Sequence, residues 1–345
     1  MLEDKLKRLI ATNGPVPVSL YMAEANARYY ATRDPLGADG DFTTGPEISQ
    51  MFGELLGLCL ADLWLRAGRP DDVHYVELGP GRGTLAADAI RAMKSAGLAP
   101  KVAFVETSPI LRAEQAKRVP GASWHDHIDS LPENAPLLIV ANEFFDALPV
   151  RQLVRMPGGW CERMVGLDGE AFHPGAGPPV PDAAIPKPLR KAPVGSILET
   201  APAAAAIMRA MAERLAAQGG AALIIDYGHD RTGIGDTLQA VKDHAYADPF
   251  AQPGERDLTV HVDFEALGDA ARAGGALVSP VVTQGAFMTA LGIDARAAAL
   301  SRTAPHQADA IELARARLTA PDQMGTLFKA MAVLAPEWPM PAGFA

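Results

Sequence analysis

The stretch HYVELGPGRGT, His74–Thr84, constrains the fold more than any other part of the chain. His74, Tyr75, Val76 and Leu78 form a short run of strand-prone residues that a cluster of glycines interrupts. Beyond the glycines, Leu85, Ala86, Ala89, Ile90 and Met93 recur at helical spacing, so the segment reads as strand, tight turn and helix. Gly79, Gly81 and Gly83 alternate, which lets the main chain turn sharply and lie against a ligand with no Cβ in the way. The helix that follows offers unpaired N–H groups to an anion. A dinucleotide fingerprint requires G-x-G-x-x-G/A, and Thr84 stands at its sixth position, so that match fails. What remains is acid-x-Gly-x-Gly-x-Gly, with Glu77 two residues ahead of the first glycine.

Bulk properties narrow the classes further. A chain of 345 residues can bury a large core, as one elaborated domain or a domain with an insertion. Hydrophobic residues at 48% and charged residues at 21% describe an ordinary globular protein. No apolar run approaches the roughly 20 residues of a membrane span, and MLEDKLKRLI lacks the apolar core of a secretory signal. Cys59 and Cys161 form no CxxC, which points to a reducing compartment and away from a Cys-based metal cage. The net charge of −10, without a long basic run, disfavours a nucleic-acid substrate and suits a basic protein partner better.

In chain order, residues 1–33 read as helical, with a break at Gly14–Pro17 and Ser19 as cap of a second helix, Leu20–Ala31. Tyr21, Tyr29 and Tyr30 read as packing residues. Gly40–Pro46 is a loop, Thr44 is placed to cap a helix starting near Pro46, and Ile48–Trp64 is amphipathic. Val102–Val105 is a second strand, ending in Glu106 somewhat beyond the roughly 20-residue spacing of a dinucleotide-site acid. Ala122–Trp124 is a short third strand. The His125, Asp126, His127 and Asp129 that follow fit no metal-binding template.

Leu137–Ala141 is a continuous apolar run, suited to a strand buried on both faces. It delivers Asn142, Glu143, Phe144 and Phe145 at its carboxyl end, where open α/β sheets bind ligands. Residues 152–172 alternate as an antiparallel hairpin or meander, and residues 173–195, dense in Pro, Gly and Ala, read as an inserted loop. Ala203–Ala217 is a helix, and Ala221–Tyr227 is a buried strand ending in Asp226 and Tyr227. Asp236–Asp263 reads as a long lid or binding loop, with His244, Asp257, Thr259, His261 and Asp263 as substrate-side candidates or, for Asp263, as a helix cap. Ala276–Thr283 and Leu327–Leu334 are the last strands, with helix from Phe287 to Gly292 before the second.

The acid-and-glycine pattern resembles the first motif of class I S-adenosylmethionine (SAM) dependent methyltransferases. Five stretches, GDFTTGPEISQMFGELLG, VETSPILRAEQ, ANEFFDALPV, the glycine turn and DTLQAVKDHAYADPFAQPGERDLTVHVDF, are similar in order to the MidA-type family. That family includes the mitochondrial complex I assembly-factor arginine methyltransferase. The resemblance runs from about Leu20 to Leu334. It implies a Rossmann-like seven-strand sheet with an N-terminal helical extension and an inserted hairpin. It also implies that Gly79, Gly81 and Gly83 pass under the sulfonium end of SAM, that Glu77 helps to hold the amino group, and that Glu106 takes the ribose hydroxyls. Asp126 falls near the adenine amino group, and the loop and helix at Thr44 help to close the cofactor site.

At the fourth strand, methyltransferases of adenine or glutamine carry Asn/Asp-Pro-Pro-Tyr/Phe, whereas those of arginine carry a glutamate-bearing loop. Glu143 fits the second, because a carboxylate matches a guanidinium bidentately. Phe144 and Phe145 flank that position, packing being the expected role of at least one. The usual second Glu is missing; Asp146 is the next acid and Glu162 the next Glu, so the second carboxylate is open. The expectation is a protein arginine methyltransferase acting on a subunit of NADH:ubiquinone oxidoreductase, with Asn142, Glu143 and Asp146 at the reacting centre. The competing readings are a methyltransferase of a small amine or amide and a SAM-binding assembly chaperone. The expected compartment is the cytoplasm of a bacterium or the mitochondrial matrix of a eukaryote. The expected segments are 1–70 (helical extension), 71–150 (SAM-binding half), 151–200 (insertion) and 201–345 (second half of the sheet).

Overall fold

The protein is described by a computed structural model covering residues 1–32, 44–242 and 245–344. Gly40–Thr43 of the N-terminal loop, and His244, lie outside the described residues. Helices α1 (Leu2–Asn13) and α2 (Val18–Thr32) flank a two-residue strand, β1 (Val16–Pro17). Helix α2 begins directly on that strand, so Ser19 lies inside its first turn and is not its cap. Thr44 stands at the N-cap of α3 (Gly45–Ile48) but makes no side-chain capping bond. The amphipathic run expected from Ile48 is broken at Ser49, whose extended main chain ends α3 and whose Oγ accepts from Met51 N–H at 3.2 Å to cap α4 (Gln50–Arg66).

Alternation then sets in: β2 (His74–Leu78), α5 (Thr84–Ser95), β3 (Lys101–Val105), α6 (Pro109–Arg118), β4 (Ser123–His125) and β5 (Leu137–Asn142). All six residues of β5 are buried, as its unbroken apolar run requires of a central parallel strand. The insertion comprises β6 (Arg151–Met156), β7 (Gly159–Asp168), β8 (Ala171–Val180) and β9 (Ile197–Thr200). Residues 173–180 therefore extend a strand where a loop was expected. Among the described residues β8 pairs with β7 alone, and Pro174, Pro178 and Pro179 are tolerated there because an edge strand needs few N–H donors.

After α7 (Pro202–Gln218) and β10 (Gly220–His229), the described residues of the expected long loop include three short strands. Strands β11 (Gln239–Lys242), β12 (Ala245–Ala247) and β13 (Asp257–Thr259) form a small antiparallel sheet in the order β12-β11-β13. Next come β14 (Val262–Asp263), α8 (Phe264–Ala273), β15 (Leu277–Val278) and β16 (Val282–Thr283). The single strand expected over Ala276–Thr283 is thus two short ones, split by Ser279-Pro280-Val281. Helices α9 (Gln284–Ala290), α10 (Ile293–Thr303), α11 (Ala308–Thr319) and α12 (Met324–Leu327) precede the last strand, β17 (Phe328–Leu334).

The main sheet runs β15-β17-β10-β5-β2-β3-β4, with β14 beside β10 and β16 beside β17. Strands β4, β3, β2, β5 and β10 are mutually parallel and β17 is antiparallel, which is the expected seven-strand class I architecture. One face packs on α4, α5 and α9, through Phe52, Leu56, Met93 and Phe287, and the other on α7 and α8, through Met208, Met211 and Phe264. Five carboxyl strand ends consequently meet at one edge.

Candidate active site

At that edge lies a cavity of about 920 Å³, lined by the ends of β2, β3, β5 and β10, by α2 and α3, and by β11–β13. On the cofactor side, the main chain turns through left-handed conformations at Gly79 (φ 61°), Gly81 (φ 53°) and Gly83 (φ 77°). The positive φ favours glycine at Gly79, and a Cβ there would also crowd the Phe144 ring at 3.0 Å. Gly83 does not line the cavity; it caps α5 and backs on to Gln115 of α6. Glu77 is buried beside the turn and accepts from the Tyr75 hydroxyl at 2.6 Å. Loss of solvent pushes its carboxyl up to about 8, against the pull of that bond.

Glu106, at the end of β3, accepts from Ser108 N–H at 2.8 Å and from the Gln115 amide at 3.3 Å, while burial raises its pKa. Asp126, on the loop after β4, is exposed at the rim and bridged to Arg112 at 2.6 Å. Thr44 and Glu47 line the near wall. Glu47 accepts from the Thr84 hydroxyl, which ties α3 to the first turn of α5. This face suits SAM: it offers a buried carboxyl, Glu77, with no cation bonded to it among the described residues, an open glycine turn and a second acid, Glu106, at the end of the neighbouring strand. When bound there, SAM supplies a methyl group on a sulfonium centre.

The opposite half is acidic and built around β5. Glu143 adopts a left-handed conformation (φ 50°), rare for a side chain of its size, which turns its carboxylate toward α3. The Gly45 N–H and the Asn142 amide both donate to its Oε1 at 3.1 Å. Burial, reinforced by Asp146, pushes Glu143 up to about 7. Asp146 is buried and is pushed up to about 6 by desolvation. Its Oδ1 and the Asn142 Oδ1 are buried with no hydrogen-bond partner among the described residues. Beneath them, Asp226 accepts from the N–H groups of Phe144, Phe145 and Asp146 at 3.2, 3.0 and 3.3 Å, which fixes the loop that carries the acids. Tyr227, Tyr246, Asp257, Thr259 and Arg317 line the same chamber.

The structure therefore brings Glu77, Gly79, Gly81, Glu106, Asp126, Thr44, Asn142, Glu143 and Asp146 into the lining of one cavity and leaves Gly83 outside it. Phe144 lines the cavity, whereas Phe145 is core. Glu162 is engaged by Arg151 in the inserted sheet, so it is not the second carboxylate. Of the candidates from 236–263, Asp257 and Thr259 reach the cavity. His261 stands behind Tyr227, edge to face at 5.6 Å, and Asp263 caps α8 by accepting from Ala266 N–H at 3.0 Å.

Sequence reasoning missed Asn26 and Gln115. The buried Asn26 bonds Ala147 O and Leu258 O at 2.9 and 2.8 Å, clamping α2 to the acid loop and to β13. A polar residue on the buried face of an otherwise apolar helix stripe was the available signal for both.

A family model described as "Putative S-adenosyl-L-methionine-dependent methyltransferase" matches residues 55–282. The protein named protein arginine methyltransferase NDUFAF7 homolog, mitochondrial, of Drosophila melanogaster is 35% identical, over 96% of this chain and 84% of that protein. The Homo sapiens protein arginine methyltransferase NDUFAF7, mitochondrial, is 35% identical over 83% of this chain and 72% of its own length. Among solved structures, a superfamily member from Burkholderia thailandensis bound to S-adenosyl-homocysteine superposes with a TM-score of 0.88 at 28% identity, covering 99% of this chain and 93% of that one.

Proposed function

The chain belongs to this family of SAM-dependent methyltransferases, and from that premise we propose that it is a protein arginine N-methyltransferase whose guanidinium subsite is Glu143 with Asp146. The observation that carries the reading is the pair itself. Glu143 and Asp146 stand on one loop at the end of β5, the strand beside β2 and its glycine turn, and Asp146 has an open buried acceptor. Burial raises the pKa of both carboxyls, a cation brought between them favours their ionised forms, and a guanidinium offers a planar fork of donors to satisfy both. The names of the relatives agree with it.

In this reading Glu77, Gly79, Gly81, Glu106, Asp126 and Thr44 hold SAM, with Gly83 shaping the turn from behind. Asn142 and Gly45 hold Glu143 in one rotamer, and Glu143 with Asp146 holds the acceptor nitrogen in line with the methyl group. Most of the acceleration comes from that positioning. Tyr227, Tyr246 and Arg317 form the wall that meets the protein substrate, for which we propose a subunit of the NADH:ubiquinone oxidoreductase. The arginine methyltransferases named above are mitochondrial, which supports the matrix expectation; the cytoplasmic expectation does not fit those homologues. The same reading assigns residues 1–70 to a cofactor-covering extension, 71–150 to the cofactor half, 151–200 to the insertion and 201–345 to the second half, with 236–263 facing substrate.

Glu143→Gln tests it. SAM affinity should be retained and methyl transfer should fall about ten- to a hundredfold, the rate equivalent of about 1.5–3 kcal/mol for a charged contact. Asp146→Asn should give a loss of the same order. Wild-type rates in Glu143→Gln would overturn the subsite, and loss of SAM binding would move Glu143 to the cofactor side.

A further inference from the structure

Gln115 lies in the middle of α6 and is completely buried. Its side-chain amide is fully engaged. The Trp124 Nε1–H donates to Oε1 at 2.8 Å, while Nε2 donates to the carbonyl of Gly81 at 2.7 Å and to Glu106 Oε2 at 3.3 Å. An indole N–H can only donate, so the amide oxygen must face Trp124. Both amide hydrogens are thereby aimed at acceptors of the cofactor wall, one on the glycine turn after β2 and one at the end of β3. Ser108 N–H holds the other oxygen of Glu106. One side chain thus joins α6, β4, the turn and the strand-end acid.

We propose that Gln115 is a positioning residue for the cofactor: its amide, oriented by Trp124, locks Glu106 to Gly81 and sets the carboxylate rotamer that meets the ribose. The proposal rests on the assignment of Glu106 to the ribose. It also means that the site requires a donor at the Nε2 position, because both neighbours there are acceptors.

The test is S-adenosylhomocysteine binding by calorimetry, which needs no methyl acceptor. Gln115→Glu keeps the shape but replaces the donor with an oxygen facing two acceptors. At about pH 8 its affinity should fall at least about tenfold below wild type, the effect of setting two carboxylates against each other. On lowering the pH to about 5.5, a proton shared between the introduced carboxyl and Glu106 restores the donor, so the mutant-to-wild-type ratio should shrink severalfold. A ratio constant with pH would mean that Gln115 acts only by packing and would overturn the proposal. Gln115→Met fills the space without a donor. It should bind more weakly than wild type at every pH, with no recovery on acidification, and wild-type affinity in it would overturn the proposal even if Gln115→Glu failed to fold. Glu106→Ala separates the two levels. If it binds like wild type, the ribose assignment fails and the proposal with it. If it loses affinity while both Gln115 variants bind normally, only the role of Gln115 fails.

Discussion

Glu77 sits at the end of β2 with the Tyr75 hydroxyl as its hydrogen-bond donor, and its pKa rises from 4.5 to about 8 because water is excluded. Between those values the folded protein keeps a proton that the unfolded chain has released. Stability of the ligand-free protein therefore falls as pH rises through that window, and the loss is complete above about 8. Glu77→Gln should remove this contribution. The Tm of Glu77→Gln relative to wild type should climb by roughly 2–5 °C from pH 5 to pH 8, as scanning calorimetry would show; a constant difference would mean Glu77 is not buried as a lone acid. Glu143 carries the opposite consequence for catalysis. It binds a cation only when ionised, so kcat/KM should rise with pH through about 7 and level off above it, and the limb should vanish in Glu143→Gln. The chemistry of these residues was legible in the sequence because each ends a strand at the sheet edge. The unusual backbone of Glu143, its bond from Gly45 and the linkage through Gln115 were not, since they join residues far apart in the chain.

Elements were legible where one periodicity had no rival. The strand β5 is apolar at all but its last position and is buried throughout, and the glycine turn could join nothing but a strand to a helix. They were missed where strands are short or proline-rich. Strand β8 breaks the usual composition because it lies at an edge, and β11–β13 have three or four residues each, too few to show alternation. Two glycine substitutions distinguish ligand contact from packing. Gly81→Val puts a β-branched residue at φ 53° on the cavity wall, and the folded protein should lose S-adenosylhomocysteine binding by calorimetry. Gly57→Ala would place a Cβ 2.4 Å from Ala89 O, where α4 crosses α5, and should cost about 1–3 kcal/mol of stability in urea unfolding. Unchanged unfolding would show that the helices part at little cost.

At the scale of the whole molecule, the helical extension and the small sheet line one edge of a methyltransferase core, and the inserted sheet packs on the helical extension. Tyr21 packs against Phe172 and Phe250, and Asn26 bonds Leu258, so α2 fastens both additions to the loop that carries Asp146. That arrangement was hidden in the sequence because each addition reads locally as an independent helix, hairpin or loop. It encloses a cavity of about 920 Å³ whose lining includes Glu143, Asp146 and Asp257. The most direct measurement is transfer from isotopically methyl-labelled SAM into a cell extract lacking this protein, followed by mass-spectrometric mapping of the label. The account predicts labelled methyl groups on guanidinium nitrogens of arginine in protein, lost with Glu143→Gln. Label on nucleic acid, on small amines or on other side chains, or no incorporation while SAM binding is intact, would contradict it.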